Sequence, residues 1–121
     1  MKANEILLLT AKVKIDPIDY PRFMQMTGEL KAIVAEEGPA RVLSYDCYFK
    51  DPPTGECLIT EAYTDEAALL SHLKLIEPVS AKYQIPMEVM RLSLCGELGE
   101  TTLALFRHSY ADRFEHYGFR I

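Results

Sequence analysis

A junction between a strand and a helix is encoded by the stretch Glu61-Ala62-Tyr63-Thr64-Asp65-Glu66-Ala67-Ala68-Leu69-Leu70-Ser71-His72. Its first three residues end a run of apolar and β-branched residues, and the Thr64-Asp65 pair offers side-chain oxygens that can cap a helix. In that helix His72 follows Leu69 by three residues and Ala68 by four. We therefore expect the histidine to lie on the inward, apolar face.

Upstream of this junction the sequence predicts a strand, a helix and a hairpin. Residues 7–15 alternate apolar and polar side chains, which is typical of a strand with one buried face. Asp16-Pro17 then supplies a cap and a first-turn proline for a helix that Gly38-Pro39 ends. Two β-branched and aromatic runs, 42–50 and 57–63, are joined by turn residues and predict an antiparallel hairpin.

Downstream, the second helix is predicted to run to about Tyr83, with a restart or kink at Glu77-Pro78, and a fourth strand to run from Met87 to Leu98. The order is β-α-β-β-α-β, which predicts a ferredoxin-like α+β fold. Its antiparallel sheet would carry both helices on one face and need a cover on the other. We expect a single domain over residues 1–121, with its core at 5–98.

The C-terminal residues show a separate helical pattern. Five apolar or aromatic residues recur at steps of three or four: Leu103, Phe106, Tyr110, Phe114 and Tyr117. Gly118 follows them, so an amphipathic helix is predicted at about 101–117. It would cover a sheet edge or a partner subunit, and the sequence leaves open whether it swaps between subunits.

Composition excludes several classes of partner. The chain has 121 residues and a net charge of −5, and its basic residues are scattered, so nucleic acid is not an expected partner. It contains no apolar run long enough for a signal peptide or a membrane span, which indicates a cytoplasmic protein that does not bind membranes.

The cysteines and the C-terminal histidines do not have the spacing of a metal site. Cys47, Cys57 and Cys95 lack a C-x-x-C arrangement and are interpreted as buried thiols. His108 and His116 lie eight residues apart among charged residues, which favours a solvated face. No metal is expected, and no glycine-rich loop indicates a nucleotide cofactor.

Several short matches, in this order, resemble the antibiotic biosynthesis monooxygenase family of dimeric α/β barrels over roughly residues 5–95. They are Leu7-Leu8-Leu9-Thr10-Ala11-Lys12-Val13-Lys14, Glu36-Glu37-Gly38 with Val42-Leu43-Ser44-Tyr45, Glu61-Ala62-Tyr63, and Ala67-Ala68-Leu69 with Ser71-His72-Leu73. The family pattern usually has Trp where this chain has Tyr63. The resemblance implies a homodimer in which the two sheets cover each other.

Members of this family include cofactor-independent oxygenases of anthrone-like or quinol substrates, an isomerase of a sugar phosphate, and haem-degrading enzymes. Fold alone does not choose among them. In the haem-degrading branch the marker Asn, Trp and His would fall near Ala11, His72 and Lys82 of this chain, so haem degradation is disfavoured. We accordingly expect no cofactor.

Cofactor-free oxygenation needs a base, a dry cavity and groups that stabilise an oxyanion. His72 is the candidate base because its unperturbed pKa lies near neutrality, with Glu61 as a second catalytic candidate. Tyr45, Tyr63 and Arg91 are candidate substrate-binding residues. Structural roles stay open for all of them: a core histidine bonded to a carbonyl, Glu61 paired with Arg91, and aromatics that only pack.

The leading prediction is a homodimeric monooxygenase acting on an aromatic or quinol-type small molecule. A non-catalytic dimeric module that binds a small ligand is one alternative. An isomerase or lyase that uses His72 and Glu61 to move protons without oxygen is another.

Overall fold

The computed structural model describes residues 5–121, so residues 1–4 of the expected domain lie outside the described part. Residues 5–121 form five strands and three α-helices, with short 3-10 turns before α1, after β2 and after α3. The elements are β1 (Leu7–Ile15), α1 (Tyr20–Glu37), β2 (Val42–Asp51), β3 (Glu56–Tyr63), α2 (Glu66–Tyr83), β4 (Met87–Cys95), α3 (Glu100–Tyr110) and β5 (Phe114–Tyr117). The predicted ferredoxin-like α+β fold is confirmed.

One sheet with the strand order β2-β3-β1-β4-β5 forms the centre of the molecule. The pairs among β1 to β4 are antiparallel, and β5 pairs in parallel with β4. The register places Glu61 opposite Leu9 of β1 and Tyr45 of β2. Because directly opposed residues point to the same side of a sheet, all three side chains lie on the face that the helices cover.

The second helix begins and ends much as the sequence predicts. Asp65, rather than Thr64, is its N-cap, and its carboxylate accepts a hydrogen bond from the Ala68 backbone N–H at 2.8 Å. The helix continues through Pro78 without interruption to Tyr83. His72 lies on its inward face and is fully buried, as the spacing of the apolar residues predicts.

The C-terminal segment differs from the predicted 101–117 helix. The helix ends at Tyr110, where Ala111 takes a positive φ of 52°. Phe114 and Tyr117, which continue the helical spacing in sequence, instead belong to β5. Pairing with β4 satisfies the backbone N–H and C=O groups of that sheet edge, which a helix could not do. The segment therefore covers the sheet edge by extending the sheet.

The second sheet surface, which we call the open face, is turned away from the core. It is formed by Leu8, Thr10, Lys12, Tyr48, Leu58, Arg91, Ser93, Glu115 and Tyr117. Four of its apolar or aromatic side chains are at least 40% exposed: Leu8, Tyr48, Leu58 and Tyr117. This is the face for which the sequence predicts a cover.

The three cysteines are free thiols, of which Cys57 is buried and the other two are partly exposed. Among the helices of residues 5–121, none is both long and apolar enough to cross a membrane.

Candidate active site

A cavity of about 240 Å³ lies between the covered face of the sheet and the helices. Its wall is mostly apolar, with one carboxyl group, Glu61, and hydroxyl groups from Thr27, Tyr45, Ser80 and Tyr110. The apolar lining residues are Leu9, Ala11, Val13, Phe23, Met26, Leu30, Ile59, Leu73, Ile76, Met87, Val89, Leu92 and Phe106. The single carboxyl group is therefore the main candidate for chemistry at this wall.

A buried imidazole–carboxyl pair lies next to this cavity. His72 Nδ1 is 2.8 Å from Oε2 of Glu37, the last residue of α1, and the two side chains are 0% and 3% exposed. When the imidazole is neutral, a carboxylate at this distance selects the tautomer with the proton on Nδ1, and Nε2 then has a lone pair. Among the described residues, His72 Nε2 and Glu37 Oε1 are the buried side-chain atoms that lack a hydrogen-bond partner.

Glu61 connects this pair to the cavity. Its Oε1 lies 4.0 Å from His72 Nε2, and its side chain is 12% exposed. The Tyr63 hydroxyl donates a hydrogen bond to the same oxygen. The three groups form a line from Glu37 through His72 to Glu61, and only Glu61 is part of the cavity wall. The distance of 4.0 Å exceeds a hydrogen bond, so transfer between Glu61 and His72 needs a small side-chain movement.

Burial controls the protonation of these groups. It raises the pKa of the Glu61 carboxyl, and the Tyr63 hydrogen bond and the His72 charge offset part of that rise. Burial also raises the pKa of Tyr45 and of Tyr63, with the Glu61 charge as the next cause in both. The two phenols consequently stay protonated over the working range of pH and can act as hydrogen-bond donors.

The two tyrosines take different positions around His72. The Tyr45 ring centroid is 5.7 Å from that of His72, and Tyr45 lines the cavity. The Tyr63 ring lies at 5.3 Å, but its side chain is fully buried and does not line the cavity. Tyr45 is thus placed to touch a ligand, whereas Tyr63 is placed to orient Glu61.

Arg91 is not brought to this site. It lies on the open face, where its Nη1 is 3.0 Å from Glu115 Oε2 and its side chain is 51% exposed. Arg91 pairs with the outward Lys12, whereas Leu92 pairs with the inward Ala11 and lines the cavity. A bulge near Lys12 and Val13 then breaks the alternation of β4, so that Val89 also lines the cavity. The sequence hypotheses that Arg91 binds substrate or pairs with Glu61 do not match this placement.

Glu37 is the site residue that sequence reasoning missed. It lies 35 positions before His72, at the end of a helix and next to another glutamate, Glu36. Nothing in that local pattern separates it from a solvated helix end. The one available signal was the Glu36-Glu37-Gly38 match to the family pattern, which suggested no chemistry.

The arrangement can move a proton but offers no metal site. Among residues 5–121, no three side chains of the His, Cys, Asp and Glu types lie close enough to hold a metal ion. A carboxyl group with a raised pKa, beside an imidazole that another carboxylate orients, is a pattern of general acid–base sites.

Comparison with known proteins identifies the fold. No protein-family model and no curated protein sequence matches the chain. Among solved structures, MupZ from Pseudomonas fluorescens matches with a TM-score of 0.75 at 17% identity, over 98% of this chain and 93% of MupZ. The MupZ match therefore extends over the C-terminal α3 and β5 as well as the core.

Two further solved structures carry names that describe an activity. A candidate antibiotic biosynthesis monooxygenase from Caulobacter crescentus matches with a TM-score of 0.62 at 19% identity, over 77% of this chain and 88% of that protein. SnoaB from Streptomyces nogalater, a cofactor-independent oxygenase, matches with a TM-score of 0.57 at 11% identity, over 74% of this chain and 90% of SnoaB. Identities this low establish a shared architecture, and the chain accordingly has the fold of the antibiotic biosynthesis monooxygenases.

Proposed function

We propose that the protein is a cofactor-independent monooxygenase acting on an aromatic or quinol-type small molecule. The observation that carries this proposal is the Glu37–His72–Glu61 line, which ends on the wall of a largely apolar cavity. The shared fold with SnoaB, which is named as an oxygenase of this type, adds support.

The size of the cavity favours a small substrate. Its volume of about 240 Å³ is below the range of about 300–1,000 Å³ that is usual for sites of drug-sized ligands. It exceeds the cavity of about 150 Å³ that accepts a benzene ring. One or two fused rings therefore match the available space.

Glu61 is the group that we expect to contact the substrate. Its raised pKa makes it a stronger base than an ordinary carboxylate, and its side chain faces the cavity. His72 lies behind it and can accept the proton onward at Nε2, while Glu37 holds the Nδ1 proton and fixes the tautomer. His72, the base that the sequence predicts, is thus the second group to receive the proton, after Glu61.

The reaction can be balanced without an external reductant. Removal of a proton from the CH₂ group of a two-ring quinol in its keto form leaves a carbanion that reduces O₂, and a C–O bond forms. The resulting hydroperoxide loses water and becomes a carbonyl group, so one oxygen atom enters the product and the other leaves as water. The substrate supplies all the electrons, and the site supplies the base and a dry environment.

Oxygen uptake tests the proposal. Chelator-treated protein would be assayed against naphthohydroquinones, whose two fused rings match the cavity, beside the His72→Ala and Glu61→Gln variants. We expect each variant to lose about 10²- to 10⁴-fold in rate, as is typical for a general acid or base. Glu115→Gln, on the open face, is the matched control and should retain the wild-type rate. Equal rates in all samples and in buffer would refute the proposal for these substrates.

Proton transfer without oxygen is a second candidate function. The raised pKa of Glu61 favours its neutral acid form, and this acid lies next to the imidazole–carboxyl pair of His72 and Glu37. Isomerases and lyases also use an acid and a base that lie close together in this way. Turnover that continues without O₂, with uptake of solvent deuterium into the product, would favour this reaction over oxygenation. Binding without any turnover would favour a ligand-binding module.

We also propose a cytoplasmic homodimer that buries the open face of each subunit. The exposed Leu8, Tyr48, Leu58 and Tyr117 side chains support such a contact, and the free cysteines suit a reducing compartment. Light scattering should give twice the chain mass. A Tyr48→Glu variant should shift toward the monomer, because a carboxylate would be desolvated at the interface.

A further inference from the structure

The cavity wall contains no basic side chain among its lining residues in the described part of the chain. The lysine and arginine residues on the three helices are all exposed: Arg22, Lys31, Lys74, Lys82 and Arg107. Two of them have acidic partners there, since Lys82 Nζ is 2.7 Å from Glu29 Oε1 and Arg22 Nη1 is 3.5 Å from Asp19 Oδ1. The buried helix histidine, His72, does not line the cavity and is bonded to Glu37. Arg91 is on the opposite side of the sheet.

Carboxyl groups, by contrast, lie at and behind the wall. Glu61 is part of the wall, and Glu37 is buried behind His72, to which it is hydrogen-bonded. An anionic ligand would lose its hydration, find no lysine or arginine among the lining residues and face these acids. Burial of an unpaired charge in apolar surroundings costs several kcal/mol in real proteins.

The remaining polar groups of the wall are hydroxyls. Thr27, Tyr45, Ser80 and Tyr110 each have a hydroxyl group that can donate or accept a hydrogen bond. Such groups match the hydroxyl or carbonyl oxygens of a neutral molecule. A cationic ligand would have to rely on Glu61 alone, whose burial opposes the ionised form.

From these observations we infer that the site takes an uncharged, oxygenated aromatic molecule and rejects anionic substrates, including carboxylates and phosphate esters. This inference rests on the proposed function for the location of the site but concerns binding, not turnover. Hydrogen bonds from the wall hydroxyl groups, rather than a contact with Arg91, would hold such a substrate in place.

Three probes of the same size and different charge test the inference: 2-naphthol, 2-naphthoate and 2-naphthylmethylammonium. Calorimetric titration of the wild-type protein near pH 8 should show binding of 2-naphthol that is at least about 100-fold tighter than that of either ion. Binding of 2-naphthoate should strengthen about tenfold for each pH unit lowered, because only its neutral acid form enters the cavity.

A gain-of-function pair makes the test independent of damage to the fold. Ser80 is exposed at the cavity wall, so Ser80→Lys places a cation there with little effect on packing, and Ser80→Gln is the matched neutral control. The lysine variant should bind 2-naphthoate at least about tenfold more tightly than the glutamine variant does. Binding of 2-naphthol should be the same in both.

Three results would overturn the inference: comparable wild-type affinities for the anion and 2-naphthol, tighter binding of the ammonium probe, or no binding of any probe. Oxygen uptake is measured separately. Failure of the binding test with intact uptake would therefore refute neutral-ligand selection alone, whereas failure of uptake with the expected binding pattern would refute the oxygenase.

Discussion

Acidic side chains on the two faces of the sheet have different kinds of partner. On the open face, Arg91 Nη1 is 3.0 Å from Glu115 Oε2. On the same side of the sheet, the Glu56 carboxylate is 3.6 Å from Lys12 Nζ and 3.7 Å from Lys50 Nζ. On the covered face, Glu61 and Glu37 have an imidazole and a phenol as partners instead of a basic residue.

This difference in partners affects how tightly a buried acidic side chain holds its proton. An exposed acid with a basic partner is ionised at any ordinary pH, and its pair contributes little to stability. A buried acid without such a partner holds its proton to a higher pH than an exposed carboxyl does, as the raised pKa of Glu61 indicates. Three variants probe this contrast, beginning with the largest expected effect.

Removal of the Glu37 carboxyl should have the largest effect on stability. Glu37→Ala leaves the His72 ring with an unpaired buried N–H and opens a small cavity, so we expect a loss of about 2–4 kcal/mol in the free energy of unfolding. Urea denaturation measures it. Glu37→Gln keeps an acceptor for Nδ1 and should lose less than half as much. Equal losses would show that the hydrogen bond to His72 is unimportant.

The Glu61→Gln variant should change the pH dependence of stability. Because burial raises the pKa of Glu61, the folded protein holds this proton more tightly than the unfolded chain does. The resulting stability is present below the unfolded value of about 4.3 and is lost as pH rises through the folded pKa. The uncharged variant should therefore gain stability relative to wild type as pH rises.

Urea midpoints measured across this range of pH, with Glu115→Gln as the reference, provide the measurement for Glu61. If the stability of Glu61→Gln instead fell relative to wild type on raising the pH, burial would not be the dominant influence on this carboxyl group.

The smallest effect is expected on the open face. In the monomer that Tyr48→Glu favours, Glu115→Gln removes the partner of a half-exposed arginine, so the loss of stability there should be below about 1 kcal/mol and should disappear in high salt. Denaturation at low and high ionic strength checks both expectations. A loss of stability as large as that of Glu37→Ala would mean that acidic side chains on the two faces contribute equally to the free energy of unfolding.

Local pattern was sufficient for most of the fold. The alternation over 7–15 predicts the bounds of β1, and the helical spacing places His72 on the inward side of α2. The alternation of Ile59, Glu61 and Tyr63 likewise places the acid and the phenol on one face. These features depend on the periods of strands and helices, which are set by backbone geometry within a few residues.

Two local predictions failed where long-range pairing decided the outcome. The helical spacing continues past Tyr110, yet the residues after it form β5, because β4 offers an unpaired edge. Arg91 lies on the open face opposite Lys12, whereas Val89, two residues earlier, lines the cavity, because a bulge between β1 and β4 breaks the alternation of β4.

The sequence alone determined the β-α-β-β-α-β order of the first six elements, the fold class, and the inward positions of His72, Glu61 and Tyr63. Only the tertiary structure brought Glu37 to His72 across 35 residues, moved Arg91 to the open face, and placed Glu61 rather than His72 on the cavity wall. The physical reason is that secondary structure follows local periodicity, whereas a catalytic contact depends on how separate elements pack and which side chains then lose their water.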